Sequence, residues 1–239
     1  MEKVNLHCEL NNANASGVRT VRYSLFAMAL SYIALFVIYG ALLPAPVSNA
    51  LQDKVGFILE HQGMLKVSFL VGYVGFGCLL TVVSIGFYRT CEPKQMSLNT
   101  HVLIWGLFWA LLLIATGLIG LTNISLLSAK VAIDDWDAAS SLFYSGALLE
   151  QALGGGIEFV GGVWVLLIGL VVWQQRVSGV LFPVFSGLKG AIGVLTIISS
   201  ESVLRDLFGI TGIIWFIWFG VVVVGVTTNN ENLEKETAR

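Results

Sequence analysis

Charge is the first shortage. Only 12% of the 239 residues are Asp, Glu, Lys or Arg, against about 25% in an ordinary soluble domain. So few charges do not coat a soluble globule of this size. A disordered chain is excluded as well, since disorder needs low hydrophobicity with high charge. Basic charge is not in excess: 13 Lys and Arg stand against 15 Asp and Glu, for a net charge of −2. That removes the footprint of a nucleic-acid binder, and nucleic acid is not expected as a partner. The cysteines are Cys8, Cys78 and Cys91, scattered and without a CxxC, which argues against a disulfide framework and a zinc site. His7, His61 and His101 do not sit at metal-ligand spacing or as facing pairs within apolar runs, so a bis-histidine haem is unsupported. GxSxG, P-loop and strand-linked GxGxxG signatures are missing. No catalytic residue, metal or cofactor is therefore assigned, and a membrane enzyme lacks support.

What is present is apolar length: 56% of residues are hydrophobic and the mean hydropathy is +0.83. About 20 apolar residues in a helix cross a ~30 Å hydrocarbon core. Six windows qualify, roughly Arg22–Leu43, Met64–Tyr88, His101–Asn123, Leu153–Gln174, Gly179–Ser200 and Leu207–Thr228. Their uniform apolarity is unlike the alternating pattern of a membrane barrel. The fold expected is an all-α polytopic transmembrane bundle of six spans over 22–228. Residues 1–21 form an N-terminal segment, 44–63 and 124–152 external segments, and 229–239 a polar tail expected to be disordered. In the second external segment, Asp134-Asp135-Trp136-Asp137 suits a helix start. That helix would run through Leu142, Phe143, Leu148 and Leu149 to Gly154-Gly155-Gly156. No strong internal repeat is visible, so an inverted-repeat transporter is unsupported.

Orientation follows from basic residues in the loops. One side holds eight, Lys3, Arg19, Arg22, Arg89, Lys94, Arg176, Lys235 and Arg239, and the other four, Lys54, Lys66, Lys130 and Arg205. This places both termini in the cytoplasm of a multi-pass protein of the cytoplasmic (inner) membrane. The lipid bilayer is the expected partner, with a membrane protein or a second copy as a further one.

Close packing, more than hydrophobicity, joins helices in lipid, and small residues permit it. The fourth window carries Gly155, Gly162 and Gly169 at seven-residue spacing. The fifth carries Ser186, Gly187, Gly190 and Gly193. These two are expected to make the tightest contact. The tryptophans of the windows, Trp164 and Trp215 among them, read as interfacial anchors and lipid-facing bulk.

Glu158 and Lys189 are the ionisable residues deep inside these windows. A charge in hydrocarbon is expensive, so such residues usually face a bundle interior and find a partner. Glu158 shares the glycine face of its helix, and Lys189 shares a face with Ser186 and Gly193. At ~1.5 Å per residue their depths differ by roughly 7 Å, within reach of a lysine stem. They are expected to pair, directly or through water, in a polar centre with Ser186. Three readings stay open: a register-fixing pair, a proton or ligand site, and no pairing at all. Glu150, Glu201, Arg205 and Asp206 flank the outer ends of the last windows as an external rim.

Three stretches carry a family likeness. They are Gly161-Gly162-Val163-Trp164-Val165-Leu166-Leu167-Ile168-Gly169-Leu170, Leu181-Phe182-Pro183-Val184-Phe185-Ser186-Gly187 after Arg176, and Gly212-Ile213-Ile214-Trp215-Phe216-Ile217-Trp218-Phe219-Gly220. The C-terminal third resembles the uncharacterised bacterial membrane family catalogued as domain of unknown function 4386. That resemblance implies six or seven spans, a long external segment before the fourth and a proline-bearing fifth. It implies no activity. Two functions remain: a small transporter-like or ligand-binding bundle centred on Glu158 and Lys189, or a non-catalytic accessory subunit or assembly factor.

Overall fold

The computed structural model describes residues 2–44, 48, 50–90, 96–154, 157–176, 178–198 and 202–237. Side chains are described over 16–44, 48, 50–89, 97–153, 157–176, 178–198 and 203–222. Among the described residues every regular element is helical. In chain order they are α1 (Glu2–Val37), a π-helical turn (Ile38–Leu42), α2 (Leu51–Glu60), α3 (Gln62–Phe69), a second π-helical turn (Leu70–Gly75) and α4 (Phe76–Thr90). Then follow α5 (Met96–Ala132), α6 (Trp136–Gly154), α7 (Ile157–Gln175), α8 (Leu181–Leu195) and α9 (Ser202–Thr237).

Among the described residues, five helical stretches are long and apolar enough to cross a membrane: Ser16–Leu42, Gln62–Arg89, Ser97–Ala132, Trp136–Gln175 and Val203–Val222. The fifth window of the sequence gives less than expected. Its helix, α8, has 15 residues, about 22 Å at 1.5 Å per residue. Beyond it the backbone tightens, with Thr196, Ile197 and Ile198 each donating to the carbonyl three residues back. Large apolar side chains stay exposed along the helices, Leu181 at 73% and Ile198 at 80%, which suits a surface meeting lipid and not water.

Segments expected outside the helices are helical too. The stretch 44–63 contains α2, and α5 runs through 124–132 before α6 begins. The N-terminal segment belongs to α1, and α9 continues through 229–237. Leu233, Glu234, Lys235 and Glu236 have good helix propensity, so the backbone does not stop where the apolar run stops.

The start of α6 has a clear chemical cause. Ala138 donates its backbone N–H to Asp135 Oδ1 at 3.2 Å, and Asp135 accepts from Lys130 Nζ at 3.2 Å. The Ala138 N–H and the Lys130 ammonium together hold the Asp135 carboxyl below its ordinary value. Asp134 turns the chain there with a φ of 57°, a left-handed conformation that Asp tolerates better than most residues.

The chain divides into two compact units: residues 1–30, 79–108 and 158–239 form the first, and 31–78 with 109–157 the second. The boundaries between the units fall within α1, α4 and α5 and after the first residue of α7. In the first unit the core is aromatic, with Phe87, Trp164, Phe182, Trp215, Phe216 and Phe219 each no more than 1% exposed. In the second, Val55 of α2, Leu127 of α5 and Ala139 of α6 are buried together, with Trp136, Leu142 and Phe143 packed against them. The two stretches expected as external segments therefore share a small core of their own.

Candidate functional site

The α7–α8 contact is built from glycine. A Cβ on Gly162 would lie 2.6 Å from the Gly190 carbonyl oxygen and 2.8 Å from Val194 N. One on Gly193 would lie 2.5 Å from the Glu158 carbonyl oxygen and 2.8 Å from Gly162 Cα. Further along, a Cβ on Gly169 would meet the Ser186 Cβ at 2.7 Å. The neighbours at Gly162 and Gly193 are backbone atoms, so the two helices approach closer than any side chain permits. Gly155 lies outside the described residues.

That approach brings Ser186 and Lys189 into the aromatic core. Ser186 Oγ donates to the Phe182 carbonyl at 2.9 Å and accepts from Trp215 Nε1 at 2.8 Å. Trp215 stacks on Phe182 with ring centroids 5.8 Å apart and meets Trp164 edge-on at 5.6 Å. Both tryptophans are fully buried, which corrects their reading as interfacial or lipid-facing side chains; Trp173, at 54% exposure, fits that reading. The cause is geometric: Trp215 shares α9's inner face with Phe208, Phe216 and Phe219, and its N–H finds a hydroxyl there.

Lys189 is 1% exposed. Its Nζ donates to the Phe208 carbonyl oxygen at 2.8 Å and stands 3.3 Å from the centroid of the Phe208 ring. A carbonyl has two lone pairs, so one already used in a helix still accepts from an ammonium. The ring face adds a cation–π attraction that is stronger when water is excluded. This tethers the middle of α8 to the start of α9.

Lys189 and Glu158, expected to pair directly or through water, form no direct ion pair within 4.0 Å. Glu158 sits in the first turn of α7, where the helix dipole favours an anion. The cations whose fields reach its carboxylate are Arg205 and Lys189. Oε2 is buried without a hydrogen-bond partner. Arg205 stands in the first turn of α9, a place that disfavours a cation, and the Glu158 carboxylate offsets this.

The rim residues separate. Arg205 and Asp206 are exposed on α9, Glu201 lies outside the described residues, and Glu150 belongs to the second unit. There Asn123 and Glu150 line one cavity. Sequence reasoning missed this neighbourhood. Asn123 ends the third apolar window and Glu150 lies far along the chain, so nothing in their spacing links them.

No protein-family model matches the chain, no curated protein is significantly similar to it, and no solved structure matches it.

Proposed function

We propose that this chain is a small transporter-like or ligand-binding helix bundle of the cytoplasmic membrane, with both termini in the cytoplasm. Its polar centre is Glu158, supported by Lys189 and Ser186. The observation that carries the reading is the buried Glu158 Oε2, an acceptor without a donor among the described residues. An ionised carboxylate only accepts, and a buried acceptor left alone is costly. The missing donor is then a proton or the polar end of a ligand, the usual role of an acid at membrane depth. Lys189, satisfied by Phe208, fixes α8 against α9 and contributes its field to the acid. The likeness of 161–170, 181–187 and 212–220 to the domain-of-unknown-function 4386 family belongs to the same proposal, as a likeness of layout.

Proteoliposomes loaded with a pH-sensitive dye, under a potassium–valinomycin potential, test the proton role. The full chain is expected to pass protons several-fold faster than empty vesicles, and Glu158→Gln to return the flux to their level. Flux no greater than empty vesicles, or undiminished flux in folded Glu158→Gln, overturns the proposal.

A further inference from the structure

The second unit carries a half-open cavity of about 260 Å³ that the polar centre does not involve. Its polar lining is Tyr39, Asn123 and Glu150. Phe69 and Phe143 add aromatic rings, and the rest of the wall is aliphatic. Among the described residues no basic side chain lines it. In size it exceeds the ~150 Å³ cavity that holds benzene and falls just short of the ~300–1,000 Å³ pockets of drug-sized ligands.

Ser68 Oγ donates its one proton to the Leu65 carbonyl at 2.8 Å. The contact between Tyr39 Oη and Ser68 Oγ, at 2.7 Å, must then use the tyrosine proton. The phenol oxygen is left with lone pairs only. Asn123 and Glu150 line the same cavity as Tyr39, and Glu150 lies close enough for its charge to be felt at Tyr39. The phenol and the carboxylate therefore both face the cavity as acceptors, and the carboxylate brings negative charge. Tyr39, Phe69 and Phe143 present ring surfaces, which attract cations.

Backbone geometry singles out the same place. Tyr39 lies within the π-helical turn Ile38–Leu42, and Phe69 immediately precedes the turn Leu70–Gly75. Such turns are uncommon and recur at functional sites.

We propose that this cavity binds a small amphiphilic cation: an ammonium group on an apolar body about the size of one aromatic ring. The ammonium donates to the Glu150 carboxylate and the Tyr39 oxygen, and the body fills the space between the rings and the aliphatic wall.

Calorimetry and thermal unfolding of the full chain in detergent test this with three probes of one shape, benzylammonium, benzyl alcohol and benzoate. Benzylammonium is expected to bind saturably and raise the unfolding temperature by several degrees, with the alcohol at least ten-fold weaker and benzoate without effect. Glu150→Gln is expected to weaken benzylammonium ten-fold or more and abolish its advantage over the alcohol. Tyr39→Phe, which keeps the ring and the fold, is expected to weaken it several-fold. Equal binding of amine and alcohol, binding of benzoate, unaltered amine affinity in both variants, or no saturable binding by any probe overturns the proposal.

Discussion

Lys189 shows what a buried charge does when its obvious counter-ion is out of reach. The sequence singles it out, because a lysine in an apolar window has few explanations. Its partner was not legible, since a backbone carbonyl such as that of Phe208 leaves no mark in residue type. The fate of the carbonyl predicts two unlike substitutions. The Phe208 carbonyl lies inside α9 and keeps its helical partner, so Lys189→Met leaves no orphaned acceptor and removes a desolvated charge. It is expected to hold or raise the thermal unfolding midpoint in detergent. Lys189→Ala leaves a void among the rings and is expected to cost about 2–5 kcal/mol. A methionine variant as unstable as the alanine variant refutes this account.

At the scale of elements, glycine placement was legible and helix length was not. The spacing of Gly162 and Gly169 and the small residues of the next window mark two faces, and the structure sets α7 and α8 together on them. Nothing comparable marks the end of α8. No Gly or Pro lies between Val194 and Ser202, so the tightening at Thr196–Ile198 carries no punctuation. The π-helical turns are equally silent, being one-residue changes in hydrogen bonding. The glycine contact makes its own prediction. Gly193→Ala drives a methyl into the backbone of α7 and is expected to destabilise by about 1–3 kcal/mol. Gly187→Ala, on the same helix with nothing within 4 Å of its added Cβ, is expected to change stability by less than about 1 kcal/mol. Unfolding titrations of both variants in mixed micelles check the contrast, and an equal effect at the two positions would refute it.

For the whole molecule, composition alone announces helices and lipid. The division into two units is not readable, because its boundaries fall inside α1, α4, α5 and the start of α7 and are marked by no break in an apolar run. Nor is the cavity of the second unit, whose polar groups come from three distant stretches. Placing both termini in the cytoplasm requires an even number of crossings. With five long apolar helices, α8 and its tightened extension must supply the sixth. A C-terminal green fluorescent fusion in a bacterial host is then expected to fluoresce and a C-terminal alkaline phosphatase fusion to stay inactive. The reverse pattern, an active phosphatase, leaves α8 as a helix that does not cross.

The shortness of α8 has a consequence for the bilayer itself. Set across a ~30 Å hydrocarbon slab, a rod about 22 Å long obliges the leaflets to pinch inward beside it or its flanking turns to stretch outward. Lys189 is six residues from the C-terminal end of that rod, about 9 Å along its axis. A pinched leaflet brings headgroups and water toward the ammonium, so lipid chain length becomes a handle on the buried base, with thinner bilayers relaxing it and thicker ones isolating it.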